Sequence, residues 1–401
     1  MFEIIFTGGD MKKLLSIMLV VVMTITIFAC GNNNNATNAV SKIEVQPTEQ
    51  VVESKTSEKL KVGISMPNTV TERWTKDGEN LKKGFEQKGY EVYLTYSDNS
   101  VDKQISDIEN FIANDVSLLV ISAIDGKSLT NVLSSAKEKN IPVISYDRLI
   151  MNTDAVSYNV SFDNYVAGKL QGEFVENKLN LKNTNEKYNI EFIAGDSVDN
   201  NALLVFNGAY DVLKPYIENG TLVVPSGQVD FENVATPLWS TSKAMDRMKN
   251  ILGTYYANGE KLDVVLCSAD AIALGATQAI ESDYKGSNEV IITGEDGAEA
   301  NLKNIIDGKQ TMTAYKAIKN EATVTVELGE ALIKGEKPDS SFISNSNWGF
   351  DCTYDTSSYN NGTVNVPSYI LVPTVVTKDN LQKELVDTGY YRMENGYPKL
   401  N

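Results

Sequence analysis

Several apolar runs in this chain end on residues that can grip a polar molecule. "ISM" leads to Arg73 and Trp74, "VISY" delivers Asp147 and Arg148, and "FIAG" is followed by Asp199, Asn200 and Asn201. "LVVPSG" leads on towards Trp239, "LCSA" delivers Asp270, "IITGE" delivers Asp296 and "TMTAY" delivers Lys316. Ionised Asp accepts hydrogen bonds, Arg and Lys donate them, and Asn does both. Bonds that involve a charge are the stronger kind. Such a set suits a sugar ring, whose rim hydroxyls donate and accept while its faces carry C–H groups that pack on an indole. Trp74 and Trp239 are therefore expected as opposite walls of one pocket. The competing reading makes Trp74 a hydrophobic plug at a lobe edge. Taken singly, each of these residues is more often a cap, a turn or a salt bridge. Their recurrence along both halves of the chain argues for a site.

Composition removes most other chemistry. The 401 residues include no histidine, so serine–histidine and cysteine–histidine nucleophiles and histidine metal centres are absent. "GKS" at Gly126 to Ser128 lacks the first glycine of a phosphate-binding loop, because Ile121 stands there. The three cysteines are Cys30, Cys267 and Cys352. Cys267 reads as a packed thiol in an apolar strand. Neither a disulfide framework nor a metal site is expected, and no cofactor. A net charge of −17 argues against nucleic acid as a partner.

Positioning these residues takes regular elements. Strand-like runs ("KVGISM", "EVYLTY", "SLLVISA", "IPVISYD", "VSYNVSF", "YNIEFIAG", "LVVPSG", "LDVVLCSAD", "EVIITGED", "QTMTAY") alternate with helix-length amphipathic segments. Among the latter are 77–87, 103–114, 127–139, 164–179, 201–216, 241–256, 272–282 and 319–334. Continuous apolar strands joined by helices mean α/β architecture with parallel sheets. The runs fall into two halves, 61–161 and 162–315, with no Gly/Pro-rich linker between them. Two α/β lobes joined by short crossings fit this better than the rival (β/α)₈ barrel. Arg73 and Trp74 are expected in a loop, and 339–365 reads as an irregular insertion.

The first residues read differently. Met11 opens "MKKLLSIMLVVVMTITIFACG", two lysines and an apolar run of about 15 residues before Cys30. Residues 1–29 read as a secretory signal, with translation expected to start at Met11. The stretch Ile27-Phe28-Ala29-Cys30 resembles a bacterial lipoprotein signal in which the cysteine is lipidated; an ordinary signal-peptidase site is the alternative. Residues 30–59 are polar and read as a flexible tether.

Longer motifs carry a family resemblance. "ISMPNTVTERWTKDG", "IPVISYDRLI", "SFDNYVAGKLQG", "GDSVDNNALLVFNGAYDVLKPYIENGTLVV" and "TGEDGAEANLKNIIDGKQTMTAYK" resemble the bacterial solute-binding proteins for monosaccharides. Within that group they are most like the xylose-binding and multiple-sugar-binding receptors of ABC importers. The resemblance implies two Rossmann-like lobes joined by three hinge crossings, near Ser161, Tyr315 and Leu371, the type I periplasmic binding protein fold. The implied N-terminal lobe is 60–161 with 317–371, and the C-terminal lobe 162–316 with 372–401. It also implies sugar ligands at Arg73, Trp74, Asp147, Arg148, Asp199, Asn201, Trp239, Asp270, Asp296 and Lys316. The protein is then expected to be a monomer on the outer face of the cytoplasmic membrane, handing sugar to a permease. Ala269 before Asp270 and Glu295 before Asp296 depart from the family pattern, and the first leaves room for a hexose hydroxymethyl group. Two other readings stay open: a sensory receptor, and a glycoside-acting enzyme using Asp147 and Asp270.

Overall fold

The computed structural model describes residues 59–401; the expected signal, Met11, Cys30 and the tether lie outside the described residues. A seven-stranded sheet takes the order Cys352–Asp355, Ser368–Leu371, Tyr158–Phe162, Val143–Tyr146, Leu118–Ile121, Lys61–Met66, Glu91–Tyr96. Every pairing in it is parallel except the one between its first two strands. A four-stranded parallel sheet takes the order Leu222–Val223, Tyr188–Ile193, Val264–Cys267, Ile291–Ile292. Each half sets its second strand outside its first and then reverses direction. Sheets wound in this way bind ligands at the strands' carboxyl ends beside that reversal. Two open sheets dispose of the barrel alternative.

The chain passes between the halves three times. Strand Tyr158–Phe162 belongs to the first sheet, and the helix after it, Asn164–Lys178, packs on helix Asn200–Glu218. Strand Met312–Tyr315 runs on from the second sheet through Thr311 N–H to Ile292 O (3.0 Å) and Ala314 N–H to Gly294 O (2.8 Å). Helix Ile318–Ile333 then returns to the first core, where Ala322, Val324, Val326 and Leu328 pack with Val62, Ile64 and Leu118. Finally Ser368–Leu371 lies in the first sheet, while Thr374–Thr377 pairs antiparallel with Met312–Tyr315.

Three elements differ from expectation. The first helix is Glu72–Gln87, so Arg73 and Trp74 sit in its first turn and not in a loop. The Asn68 carboxamide oxygen accepts from Val70 N–H (2.9 Å) and Thr71 N–H (2.8 Å), which turns the chain early enough to start it there. The run "EVIITGED" is interrupted at Gly294, where a Cβ would lie 2.1 Å from Asp270 Oδ1, so the strand breaks around that carboxylate. The insertion is partly regular: it forms helix Ser340–Ser346 and edge strand Cys352–Asp355. Tyr158 and Tyr369 hydroxyls fasten its start by donating to Pro338 O (2.7 Å) and Asp339 O (2.8 Å). Trp348, within the insertion, stacks on Phe350 (centroids 5.6 Å apart) and donates to Glu327 at 3.0 Å. It therefore helps to cover the outer side of this core.

Candidate functional site

Nine of the ten candidate residues line one cavity between the two sheets: Arg73, Trp74, Asp147, Arg148, Asp199, Asn201, Trp239, Asp296 and Lys316. Its empty volume, which includes the open mouth, is about 670 Å³.

The geometry starts from Arg73. Its Nη2 reaches Asp147 Oδ2 at 2.6 Å and Glu321 Oε2 at 2.8 Å, its Nε reaches Asp77 Oδ2 at 3.1 Å, and its Nη1 reaches Asp296 Oδ1 at 3.2 Å. One guanidinium thus serves four carboxylates, three from the first half and one from the second. A buried ion costs several kcal/mol to dehydrate, so such a cluster persists only while its partners stay in place. Burial pushes Asp77 up to about 6 against the pull of Arg73, and pushes Glu321 well above the usual carboxylate range. Asp147 is buried too, but Arg73, Lys316 and Arg148 together hold its pKa below the ordinary value. Asp296, with the longest contact to Arg73, is left raised by burial.

The other two cations are similarly engaged. Lys316 pairs with Glu295 and donates to Asn164 Oδ1 at 2.7 Å. Arg148 Nε meets Asp199 Oδ2 at 2.9 Å, and its Nη1 donates to Ala123 O at 3.1 Å. Both Arg73 Cζ and Arg148 Cζ lie 4.9 Å from the Trp74 ring centroid, within cation–π range. Trp74 is only 5% exposed and belongs to the first core. The plug and wall readings both describe it: one part of the residue is core, another part cavity lining. Asn201 crosses between halves, its Nδ2 donating to Asp147 O at 2.9 Å.

Trp239 is held otherwise. Twelve non-glycine residues among those described have positive φ, and ten of them are Asn or Asp, which tolerate that region. The two exceptions are neighbours, Leu238 (φ 61°) and Trp239 (φ 52°). Such backbone costs roughly 1–3 kcal/mol per residue and persists only where its surroundings impose it. Here Asp196 Oδ2 accepts from Leu238 N–H at 2.7 Å, and Asp199 Oδ2 accepts from Trp239 Nε1–H at 3.2 Å. The indole lies over Gly195, where any Cβ would come within 2.1 Å of it. Asp199 also caps helix Asn200–Glu218, accepting from Asn201 N–H at 3.0 Å. It is therefore both a cap and a cavity residue.

Asp270 stands apart from the other candidates. It is fully buried and does not line this cavity, although its neighbours Ala269 and Ala271 do. Its oxygens accept from Gly297 N–H (2.9 Å), Ala298 N–H (2.8 Å), Gln310 Nε2–H (2.9 Å) and Thr313 Oγ1–H (3.2 Å). Burial lifts its pKa to about 8. This carboxylate shapes the loop that presents Asp296, and it borders the adjoining part of the cleft, which Arg73, Trp239, Asp296 and Lys316 also line.

Sequence reasoning missed Asp77, Glu321 and Asn164. Asp77 is four residues past Arg73, a spacing that becomes visible once the helix is started at Glu72. Glu321 interrupts the apolar face of "IKNEATVTVELGEALI" and is fully buried. Such a lone acid on a core face is a usable signal. Among the described residues no cluster of His, Cys, Asp and Glu could hold a metal ion.

Known proteins share this architecture and much of its sequence. The profile of the family described as "Periplasmic binding protein domain" matches residues 62–337. The multiple sugar-binding periplasmic protein SbpA of Azospirillum brasilense is 38% identical over 337 residues, covering 83% of this chain and 90% of that protein. The D-xylose-binding periplasmic protein of Haemophilus influenzae is 35% identical over 342 residues, covering 85% and 93%. A crystal structure of an ABC transporter solute-binding protein from Clostridium phytofermentans with bound β-D-glucose is 47% identical. It superposes with a TM-score of 0.78, covering 84% of this chain and 99% of the other.

Proposed function

The chain belongs to the periplasmic binding protein family, exported proteins that bind solutes and are not enzymes; from that premise we propose that it captures a monosaccharide, glucose or galactose with xylose tolerated, in the cavity between its sheets. The observation that carries this reading is the shared ownership of the cavity. Arg73, Trp74, Asp147 and Arg148 come from the first half, and Asp199, Asn201, Trp239, Asp296 and Lys316 from the second and its crossing. A ligand shifts an open–closed equilibrium only through contacts that differ between the two states. Groups divided in this way make such contacts on closure.

The glucose held by the Clostridium phytofermentans protein supports a hexose, and the D-xylose-binding relative of Haemophilus influenzae supports tolerance of a pentose. Ala269 and Ala271 supply a small apolar corner for a hydroxymethyl group. The lobes are taken as 60–161 with 317–371 and 162–316 with 372–401, hinged near Ser161, Tyr315 and Leu371. All ten residues are assigned to the sugar site, nine of them in this cavity and Asp270 in the adjoining part of the cleft. Lipid on Cys30 and the tether would keep a monomeric receptor near an ABC permease, which receives the sugar; one acyl chain gives weak attachment and two give stable attachment.

The test is a thermal-shift and calorimetric screen of mono- and disaccharides, since a ligand that binds only the native state raises its stability. Stabilisation by glucose or galactose is the expected result. No response to any monosaccharide would refute the reading.

A further inference from the structure

Five carboxylates line the cavity, namely Asp147, Asp196, Asp199, Glu295 and Asp296, against the three cations Arg73, Arg148 and Lys316. Asp77 and Glu321 add two more immediately behind, on Arg73. The cations are also spoken for. Arg73 is shared among four acids, Lys316 is bound to Glu295 and Asn164, and Arg148 is bound to Asp199 and to a backbone carbonyl. Glu295 is 3% exposed and uses only one of its oxygens: Oε1 faces Lys316, while Oε2 is buried with no hydrogen-bond partner among the described residues. An unpaired buried acceptor is costly unless something supplies a donor.

We infer that this cleft discriminates sugars by charge, rejecting anionic sugars and admitting amine-bearing ones beside neutral ones, with Glu295 as the residue that reads the difference. The inference rests on the sugar-binding reading and deepens it. A uronate carboxylate would enter among acids with no cation left to balance it, and like charges brought together without water repel strongly. A ligand ammonium meets the reverse situation, a surplus of acceptors that includes an unsatisfied carboxylate oxygen. A neutral hydroxyl can donate to the same oxygen. Departure from the family pattern at this position fits the same logic. A carboxamide there would present a donor as well as an acceptor; Glu295 titrates near neutrality, and a ligand ammonium beside it favours the ionised form, which accepts only.

The experiment is calorimetry at neutral pH on the native protein, with D-glucose, D-glucosamine and D-glucuronate and their three galacto counterparts, repeated on Glu295→Gln. Within the series that binds, the uronate is expected to be at least about fiftyfold weaker than the neutral sugar, and the amino sugar within about tenfold of it. In Glu295→Gln the amino sugar should lose ground to the neutral sugar by about fivefold or more. Uronate affinity equal to that of the neutral sugar would overturn the inference, and so would an undetectable amino sugar. An unchanged ratio in the variant would remove Glu295 from it. Should the variant fail to fold, the native series alone decides the charge rule. If none of the six sugars binds, the sugar-binding reading itself falls.

Discussion

The two indoles of the cleft are built in opposite ways. Trp74 sits in the first turn of a long helix, 5% exposed, continuous with the first core and flanked by two guanidinium groups. Trp239 is half-buried on a short turn whose two central residues hold unfavourable φ, steadied by Asp196 and Asp199. One wall is part of the fold's own packing, and the other is mounted on it. The difference teaches that a pocket residue's importance for binding and its importance for stability separate only where the residue stands outside the core.

The widest gap between the walls is expected at the charges. Arg73→Met leaves four carboxylates without their shared cation on the Trp74 side, and should cost about 3–5 kcal/mol of unfolding free energy in urea titration. A loss below about 1 kcal/mol would mean that the cluster is not held by its cation. Next come the indoles themselves. Trp74→Ala should cost about 3–5 kcal/mol of stability as well as affinity. Trp239→Ala should leave the unliganded melting temperature nearly unchanged, while sugar affinity falls at least about tenfold. Equal destabilisation by both would erase the distinction.

Acidity gives a smaller effect of definite sign. Glu295 is pushed up to about 7, Asp270 to about 8, and Glu321 well above its ordinary value, each mainly by burial. A folded-state pKa above the unfolded one means that the native form binds the proton more tightly. The resulting stability is complete below the unfolded pKa and is lost as pH rises through the folded value. Asp147, with its lowered pKa, acts in reverse at the acid end, its contribution being lost as pH falls below the ordinary carboxylate value. The unliganded protein should therefore melt higher at pH 5.5 than at pH 8 by calorimetry. The opposite slope would mean that these acids are ionised at little cost. Smallest of all, Leu238→Asn should raise stability by about 0.5–1 kcal/mol, since Asn accepts the left-handed region more readily and Leu238 is 46% exposed. A loss would mean that the Leu238 side chain does packing work at the cleft mouth.

Much of this was legible in the sequence. Apolar runs of β-branched residues marked the strands. Eight of the nine candidate cavity residues follow shortly after the end of a run, because open parallel sheets put their strand ends together, while Trp239 comes only after the intervening helix Phe231–Val234. Legibility failed where a side chain, and not a pattern, decides. The helix start at Glu72 depends on Asn68 bonding two backbone amides. The seclusion of Asp270 depends on Gln310, Thr313 and two amides converging on it, contacts set by tertiary packing. Asp77 was hidden because an acid on a helix reads as a solvated face until a buried guanidinium is found against it, whereas Glu321, a lone acid on an apolar face, carried a readable signal. The edge strand Cys352–Asp355 is short, and its partner Ser368–Leu371 lies beyond a loop, so no local periodicity announced it.

The most direct check of the account is a crystal structure of the protein with D-glucose or D-galactose. It should show one pyranose in contact with the Trp239 indole, bonded at once to Asp147 or Arg148 from the first half and to Asn201 or Asp296 from the second. A sugar held by one half alone, or seated outside the space between the two tryptophans, would contradict it.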